Sequence, residues 1–466
     1  MTVVADLVLR GGRVVTPSGT VEGDVAIAGE RILAVTSGEA APNARETFDV
    51  RGMVVLPGAI DTHTHHREPG FTLKEDITTA TMAAAAGGVT TSVGMPNVEP
   101  PTNTVERYRA VLDLYRAKSL VDYNHNPAPT VLDQIPGLAR EGALAFKVWM
   151  LADTKRTYPH MPGIAVHDHG HLLEIAEAVA PTGRPLMVHP HDQELMRVIE
   201  ERSWARGETD HRAYARAFAS YEGMVWDGAV AWLLRLQEAT SVRLHVLHVK
   251  TRRLAELVRA AKARGQRVTA ELNPIAVFAA HDWANVERLG PYVLSTWTGP
   301  DQAEHLWRAL ADGTIDVIGT DHAPHTKDEK EIGWVDMWKA AGGAPAIQEY
   351  LSLFLTAVGE GRLTLERLVD LTSTGPARVF GLHPRKGVIR EGSDADLVVV
   401  DPTRERVIRN EDVLSKCGWS AFEGMRVRGV PVHTLVRGAF VYRDGRVVGR
   451  PGHGKLAAPV AAEVPA

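Results

Sequence analysis

The sequence predicts an α/β protein, a (β/α)8 TIM barrel with a small β-sandwich domain made from both chain ends. Apolar strands alternate with helical segments over residues 57–382, which is typical of a parallel sheet. Short strands separated by glycine-containing turns occupy residues 1–56 and return over residues 383–456. Side chains that can bind metals follow several of the central strands, at the edge where barrels build their active sites.

The two ends of the chain have the same pattern of short apolar runs. Short apolar runs such as 24–27 and 31–35 near the start resemble those at 395–400 and 438–442 near the end. Each set alone is too short to bury a core, so we expect the two ends to pair. The expected divisions are 1–56 and 383–456 for the β-sandwich domain, 57–382 for the barrel, and 457–466 for a flexible tail rich in alanine and proline.

The central region repeats a strand followed by a helix. Apolar strands are predicted at 90–93, 145–149, 186–189, 244–248 and 317–320. Helical segments are predicted at 75–86, 104–117, 171–180, 227–239, 252–263 and 301–312. This many units over this length favours closure into an eight-stranded barrel.

Composition excludes several classes of function. The formal net charge of −5 over 466 residues gives no electrostatic reason to expect a nucleic acid or an anionic membrane as partner. One cysteine, Cys417, allows neither an internal disulfide nor a cysteine-rich zinc site. The start of the chain lacks the pattern of a signal peptide, and no window has the apolar length of a membrane span. We therefore expect a cytoplasmic enzyme.

Residues suited to metal binding end five successive strands. They are His63, His65, Lys147, His189, His248 and Asp321. His63 and His65 follow a predicted strand at 54–56. Their two imidazoles are two residues apart in an extended segment, so they point to the same side. Any one of these histidines alone is explained as well by a hydrogen bond in the core, but five such strand ends together favour a metal site.

Lys147 is the one cation in an apolar strand, Ala145–Met150. An unpaired buried ammonium is costly. The side chain is either ion-paired in the core or on an edge strand, or it is a lysine of lowered pKa that reacts with CO2. The resulting carbamate is an anion with two oxygens that can bridge two metal ions.

These motifs resemble the cyclic amidohydrolases of the amidohydrolase superfamily, which are dihydroorotase, allantoinase and hydantoinase. The resemblance covers nearly the whole chain and is greatest to dihydroorotase. It rests on the stretch Asp61–Gly70, on Lys74–Ile77 with Ala83–Thr91, on Met95–Asn97, on Thr320–His325 with Glu329 and Lys330, and on Lys386–Gly387 with Asp394–Leu397.

The resemblance implies a role for each metal-binding residue. His63, His65 and Asp321 would bind the more buried of two divalent ions, most suitably zinc, while His189 and His248 would bind the other. Lys147, carboxylated by CO2 to N6-carboxylysine, would bridge the ions together with a hydroxide that attacks the ring carbonyl. Asp321 would act as general base and then as general acid. Manganese, cobalt and iron also suit these ligands.

The resemblance also implies a substrate pocket. Arg67 and Asn97 match residues that bind the carboxylate of dihydroorotate, and Ser295 and His325 lie in pocket-lining segments. The best match is therefore a dihydroorotase-like enzyme that interconverts dihydroorotate and N-carbamoyl-aspartate, in pyrimidine metabolism. Homodimers or homotetramers are expected from the same resemblance.

The sequence departs from the dihydroorotase pattern in two segments. Residues 271–277 lack the usual Pro-His-His run, and residues 294–300 lack the usual Pro-Pro-Leu-Arg run. Ser295 is more similar to hydantoinases, and Lys147 is more similar to hydantoinases and allantoinases. The alternatives are therefore a hydantoinase or dihydropyrimidinase, an allantoinase, or another hydrolase of cyclic imides or ureides. A non-enzymatic scaffold is disfavoured because all six ligand positions are filled.

Overall fold

The computed structural model of the protein describes residues 4–37, 42–151, 163–280, 282–293 and 302–460. Ser295 and residues 461–466 of the predicted tail lie outside these ranges. Within them, no helix combines the length and the apolar character that crossing a membrane requires.

The strands fall into three groups along the chain. The first five are β1 (Ala5–Thr16), β2 (Gly19–Ala28), β3 (Arg31–Thr36), β4 (Ala44–Asp49) and β5 (Val54–Pro57). The next eight are β6 (Ala59–Thr64), β7 (Val89–Gly94), β8 (Asp122–His125), β9 (Phe146–Trp149), β10 (Pro185–His189), β11 (Arg243–Val246), β12 (Val268–Leu272) and β13 (Val317–Ile318). The last four are β14 (Leu397–Val407), β15 (Arg426–Val436), β16 (Ala439–Arg443) and β17 (Arg446–Val447).

Strands β6 to β13 form the predicted barrel. They pair in parallel and in chain order, as the three-stranded set β6-β7-β8 and the five-stranded set β9 to β13. A bridge between Thr64 and His322 joins the first strand to the last. The amide of Lys147 donates to the carbonyl of Pro127 over 3.0 Å, which joins the two sets. The carboxyl ends of all eight strands therefore meet on one face.

Helices separate the barrel strands and follow the last of them. They are α1 (Ile77–Ala86), α2 (Val105–Lys118), α3 (Ile135–Arg140), α4 (His169–Val179), α5 (Gln193–Ala205), α6 (His211–Phe218), α7 (Met224–Thr240), α8 (Arg252–Ala263), α9 (Pro274–Phe278), α10 (Trp283–Leu289), α11 (Ala303–Ala311), α12 (Lys327–Glu331), α13 (Tyr350–Gly359), α14 (Leu365–Val369) and α15 (Gly375–Val379). Helix α1 shows why they form where they do. Asp76 caps its first turn by accepting from the amide of Thr79 over 2.9 Å.

The other strands form one sheet domain from both chain ends, as predicted. Strand β5 lies at its centre, parallel to β1 and antiparallel to β14. The sequence interpretation placed the metal-binding motif directly after a strand at 54–56, but that strand belongs to the sheet domain. The motif lies at the end of the next strand, β6, whose last residue is Thr64, so that His65 follows the strand directly. Gly58 lies between the two strands. The residue there has to be glycine, because a Cβ would stand 2.2 Å from the hydroxyl of Thr90.

A buried ionic network joins the sheet domain to the barrel. Lys386 is 2% exposed, and its Nζ lies 2.6 Å from Asp122 on β8, 3.1 Å from Asp394 and 2.5 Å from Asp396. Arg437, at the end of β15, also contacts Asp122. A third cation, Arg31, has a guanidinium nitrogen 2.7 Å from Asp394. The three positive charges compensate the three buried carboxylates, as buried charges require.

Candidate active site

His63 and His65 extend from the same side of β6 toward Asp321. The Nε2 atoms of the two imidazoles lie 3.2 Å and 3.1 Å from Asp321 Oδ1. Both Nδ1 atoms face oxygen atoms on the other side, since His63 Nδ1 is 2.8 Å from Glu271 Oε1 and His65 Nδ1 is 2.6 Å from Asn97 Oδ1. With Nδ1–H donated to these oxygens, both Nε2 lone pairs face Asp321. Metal-binding histidines are oriented in this way.

Asp61 holds these two segments together. Its Oδ1 accepts from the amides of His63 over 3.2 Å and of Thr320 over 3.1 Å. The amide of His65 donates to the carbonyl of His322 over 2.7 Å. Burial raises the pKa of Asp61 to about 7, although its hydrogen bonds with Thr320 oppose the rise. The first and last strands of the barrel are thereby fixed on either side of Asp321.

His248 and His189 lie beside this pair. The ring centroid of His248 is 5.0 Å from that of His63 and 4.8 Å from that of His189. His248 Nδ1 lies 2.6 Å from Asn273 Oδ1, so donation of that N–H leaves Nε2 as the nitrogen with a free lone pair. His189 ends β10 and is half-buried, whereas the other three imidazoles are buried.

Two of these residues have strained backbones. His248 has a φ of 56° and Asp321 a φ of 49°. A residue other than glycine in this left-handed region costs of the order of 1 kcal/mol or more. Such strain persists where the surrounding structure imposes it, and it clusters at functional sites. Both residues come just past the ends of their strands, where each side chain is turned into the barrel mouth.

The electrostatics favour the metal-binding forms of these groups. Burial lowers the pKa of His63 to about 3 and that of His65 to about 4, so both imidazoles are neutral at neutral pH. Burial works to raise the pKa of Asp321, but the neighbouring His63 and His248 outweigh it and hold that pKa well below its usual range. The site therefore presents neutral nitrogens and one ionised carboxylate, which are the forms that bind divalent metals.

Lys147 lies fully buried on β9 in the same site. Its Nζ has no hydrogen-bond partner among the described residues, and it lies 4.4 Å from the ring centroid of Trp149. Burial lowers the pKa of Lys147 to about 7, and the carboxylates of Asp321 and Glu271 oppose this shift. A neutral amine in this position is a nucleophile that can add to CO2. This environment excludes the ion-paired alternative within the described residues.

The residues present fit a metal centre. His63, His65 and Asp321 bring potential ligand atoms within 4.8 Å of one another, as do His63, His248 and Glu271. His63 Nε2 is buried without a hydrogen bond in the described residues. Imidazole and carboxylate donors suit zinc and its neighbours in the first transition series.

Comparisons with known proteins agree with this geometry. A model of the amidohydrolase family matches residues 54–441. This chain belongs to the amidohydrolase family. The match begins at β5 and runs through the barrel into the sheet domain.

Individual relatives of this amidohydrolase carry three different names. An L-hydantoinase of Paenarthrobacter aurescens is 33% identical over 97% of both chains. An allantoinase of Rubrobacter xylanophilus is 34% identical over 96% of both. A dihydroorotase of Methanosarcina acetivorans is 32% identical over 88% of this chain and 86% of its own. Among solved structures, an L-hydantoinase (dihydropyrimidinase) from Arthrobacter aurescens superposes with a TM-score of 0.91 at 31% identity, over 97% of this chain and 99% of the other.

The predicted substrate contacts of the amidohydrolase have protein partners. Arg67 is 6% exposed. It donates from Nε to the carbonyl of Pro324 over 3.1 Å, and one of its terminal nitrogens lies 3.0 Å from His325 Nε2. Asn97 is hydrogen-bonded to His65. The fold thus brings Arg67, Asn97 and His325 to the site. Their contacts are with protein groups, since Arg67 contacts His325 and Asn97 contacts His65.

Two residues that hold the histidines were missed by the sequence interpretation. Glu271 and Asn273 follow the i and i+2 pattern at the end of β12, in a segment that was interpreted only as a departure from the dihydroorotase pattern. Both are buried. The sequence did contain a signal for these two residues. They end the strand that lies between those leading to His248 and Asp321, and the carboxyl ends of neighbouring barrel strands share one face.

We expect Glu271→Ala to weaken zinc binding about 10- to 100-fold. His63 then lacks the oxygen that fixes its ring and its tautomer. Competition with a chromophoric chelator measures the change. Glu271→Gln is the matched control, since it keeps an oxygen acceptor at nearly the same place and should bind zinc almost as the unmodified protein does. Wild-type zinc affinity in the alanine variant would show that Glu271 has no such role.

Proposed function

We propose that this amidohydrolase hydrolyses a ring amide bond of a cyclic ureide or imide, such as a hydantoin or a dihydropyrimidine, at a site for two divalent ions. The observation that carries the proposal is the convergence of neutral imidazoles on the ionised Asp321, beside a buried lysine amine that lacks a hydrogen bond in the described part of the chain. His63, His65 and Asp321 would hold one ion, and His189 and His248 the other. Carboxylated Lys147 would lie between them.

The chemistry needs an activated water and a proton carrier. Two bound divalent ions would lower the pKa of water and polarise the ring carbonyl. Asp321 accepts the proton that this water loses as its oxygen adds to the carbonyl carbon. The same carboxyl then delivers the proton to the ring nitrogen as the C–N bond breaks, which leaves an open-chain acid. The ionised state of Asp321 and its location at the barrel mouth suit both steps.

Structural similarity and contacts support a hydantoin or dihydropyrimidine ring over dihydroorotate. The L-hydantoinase (dihydropyrimidinase) from Arthrobacter aurescens superposes on this chain with a TM-score of 0.91. Arg67, on which the dihydroorotase expectation depended, donates to Pro324 within the protein. Dihydroorotate hydrolysis is the second candidate, since the guanidinium of Arg67 is buried beside the site and an arginine fork suits a carboxylate.

A panel of rings tests the proposal. The zinc-loaded enzyme is offered hydantoin, dihydrouracil, allantoin, succinimide and dihydroorotate, and ring opening is followed by the loss of ultraviolet absorbance. We expect the highest kcat/KM with hydantoin or dihydrouracil, loss of activity after chelation, and recovery on adding zinc. Higher kcat/KM with dihydroorotate would favour the second candidate. An enzyme that contains zinc and opens none of these rings would contradict the proposed reaction.

A further inference from the structure

Asn126, a fully buried asparagine next to Lys147, has a polar atom that the fold does not use. It follows β8 directly. Its Oδ1 accepts no hydrogen bond from the described residues. Neither the sequence motifs nor the mechanism described above involves this side chain. A buried acceptor without a donor is costly, so the free oxygen of Asn126 indicates a partner beyond the ordinary side chains of the fold.

Two contacts fix the orientation of the Asn126 amide. Its Nδ2 donates to the carbonyl of Thr62 over 3.2 Å and to the sulfur of Met187 over 3.4 Å. A carbonyl oxygen only accepts hydrogen bonds, so the amide nitrogen and not the amide oxygen has to face Thr62. The oxygen therefore occupies the other edge of the same planar group.

These contacts place the amide beside the side chain of Lys147. The amide nitrogen of Lys147 on β9 donates to the carbonyl of Pro127, the residue after Asn126, and Met187 is the register partner of Lys147 on β10. Register partners point to the same face of a sheet. That face is the barrel interior, where Met187 belongs to one buried cluster with Ile60 of β6. A side chain that starts at the end of β8 and reaches Met187 on β10 passes alongside Lys147 on the strand between them.

Carboxylation of Lys147 would create a donor that needs an acceptor. The neutral amine adds its lone pair to the carbon of CO2 and releases one of its two protons to water, which leaves a carbamate with a single N–H. The two carbamate oxygens would face the metal ions, so the protein has to supply a partner for the N–H. Asn126 Oδ1 is a neutral acceptor, so it places no second negative charge next to the carbamate.

Glu271 offers a competing acceptor, but its position and charge suit the role less well. Its Oε2 is also buried without a hydrogen bond in the described part of the chain. That oxygen lies against Gly319 beside β13, where a Cβ would stand only 2.1 Å from it. Glu271 is on β12, three strands from β9, and its carboxylate would repel an anionic carbamate.

We propose that Asn126 is a positioning residue whose Oδ1 accepts a hydrogen bond from the N–H of carboxylated Lys147. This inference rests on the proposed function, because it requires the carbamate. The hydrogen bond stabilises the carbamate relative to the free amine. It also fixes the plane of the carbamate, so that both oxygens are directed toward the two ions.

The test measures the carbamate and the bound zinc rather than turnover. Zinc-loaded protein is titrated with ¹³C-labelled bicarbonate at constant pH, the carbamate carbon is followed by NMR, and zinc per chain is determined on the same samples. We expect Asn126→Leu to raise the bicarbonate concentration for half-maximal carbamate about 10-fold, because a buried N–H loses its acceptor. Met187→Leu is the matched control. It conserves volume and leaves Oδ1 in place, so this concentration should change by less than about threefold.

A double-variant comparison separates this role from a merely structural one. In Lys147→Ala with acetate as the bridging carboxylate, no N–H is present, so adding Asn126→Leu should leave zinc affinity unchanged. An equal loss of zinc affinity with and without the lysine would show that Asn126 only supports the fold, which would overturn the proposal. So would an Asn126→Leu protein that forms the carbamate at the wild-type bicarbonate concentration.

A crystal structure of the wild-type protein with zinc and bicarbonate tests the contact even if the leucine variant does not fold. The carbamate nitrogen should lie within about 3.2 Å of Asn126 Oδ1. A carbamate whose N–H faces Glu271 or another acceptor would contradict the role of Asn126 alone. Wild-type protein that forms no carbamate at any bicarbonate concentration would instead contradict the carboxylated lysine of the proposed function.

Discussion

Replacing Asp321 by asparagine should lower kcat by about 10²- to 10⁴-fold, the contribution typical of a general acid–base residue. Asparagine has nearly the same volume, so the fold is retained. Its amide cannot accept the proton from water or return it to the ring nitrogen. The variant also loses the negative charge that Oδ1 places 3.2 Å and 3.1 Å from the Nε2 atoms of His63 and His65. Steady-state turnover at saturating substrate, with zinc content measured on the same sample, gives the effect.

Asp316, the residue just before β13, offers a matched control. It lies at the opposite end of β13, where it accepts from the amide of Ala270 and pairs with Lys262 over 2.6 Å. Asp316→Asn removes an equivalent charge far from the barrel mouth, so thermal stability should fall while kcat changes by less than about threefold. An Asp321→Asn enzyme that keeps more than a tenth of wild-type kcat at unchanged zinc content would contradict the proton-transfer role.

The sequence predicted the barrel, and the structure brings the candidate metal ligands together, for one physical reason. In a parallel barrel, the carboxyl ends of the strands share one face, so residues far apart in the chain are brought together once each strand is located. His63, His189, His248 and Asp321 all follow from this rule. In the structure these residues are neighbours in one site, although the sequence predicted no contact between any particular pair of them.

The features that could not be predicted depend on long-range pairing. Residues 54–57 and 59–64 are both short and apolar, and only their partners show that the first belongs to the sheet domain and the second to the barrel. Whether Arg67 faces a ligand or the carbonyl of Pro324 depends equally on a segment more than 250 residues away. Such contacts leave no local pattern in the sequence.

Replacing Lys147 by alanine should reduce bound zinc to one ion per chain or fewer and lower kcat by at least about 10³-fold. The variant lacks the amine from which the bridging carbamate would form, and it leaves a cavity beside Trp149. A short carboxylate such as acetate or propionate can enter that cavity and present two oxygens. We therefore expect partial recovery of zinc binding and turnover in its presence. Zinc per chain and hydantoin turnover, with and without acetate, measure both effects.

The dependence on CO2 separates a carbamate from an ordinary buried lysine. Only the neutral amine reacts with CO2, and a lysine with a pKa of about 7 is about nine-tenths neutral at pH 8, whereas an ordinary lysine is almost fully charged. Metal-free wild-type protein should therefore recover activity with zinc plus bicarbonate, faster as the pH rises through about 7, and only slightly in CO2-free buffer. Lys147→Ala should ignore bicarbonate. Full reconstitution without CO2 would exclude the carbamate. The bridging position would then need another anion, such as the buried Glu271, which lies in one cluster of potential ligands with His63 and His248.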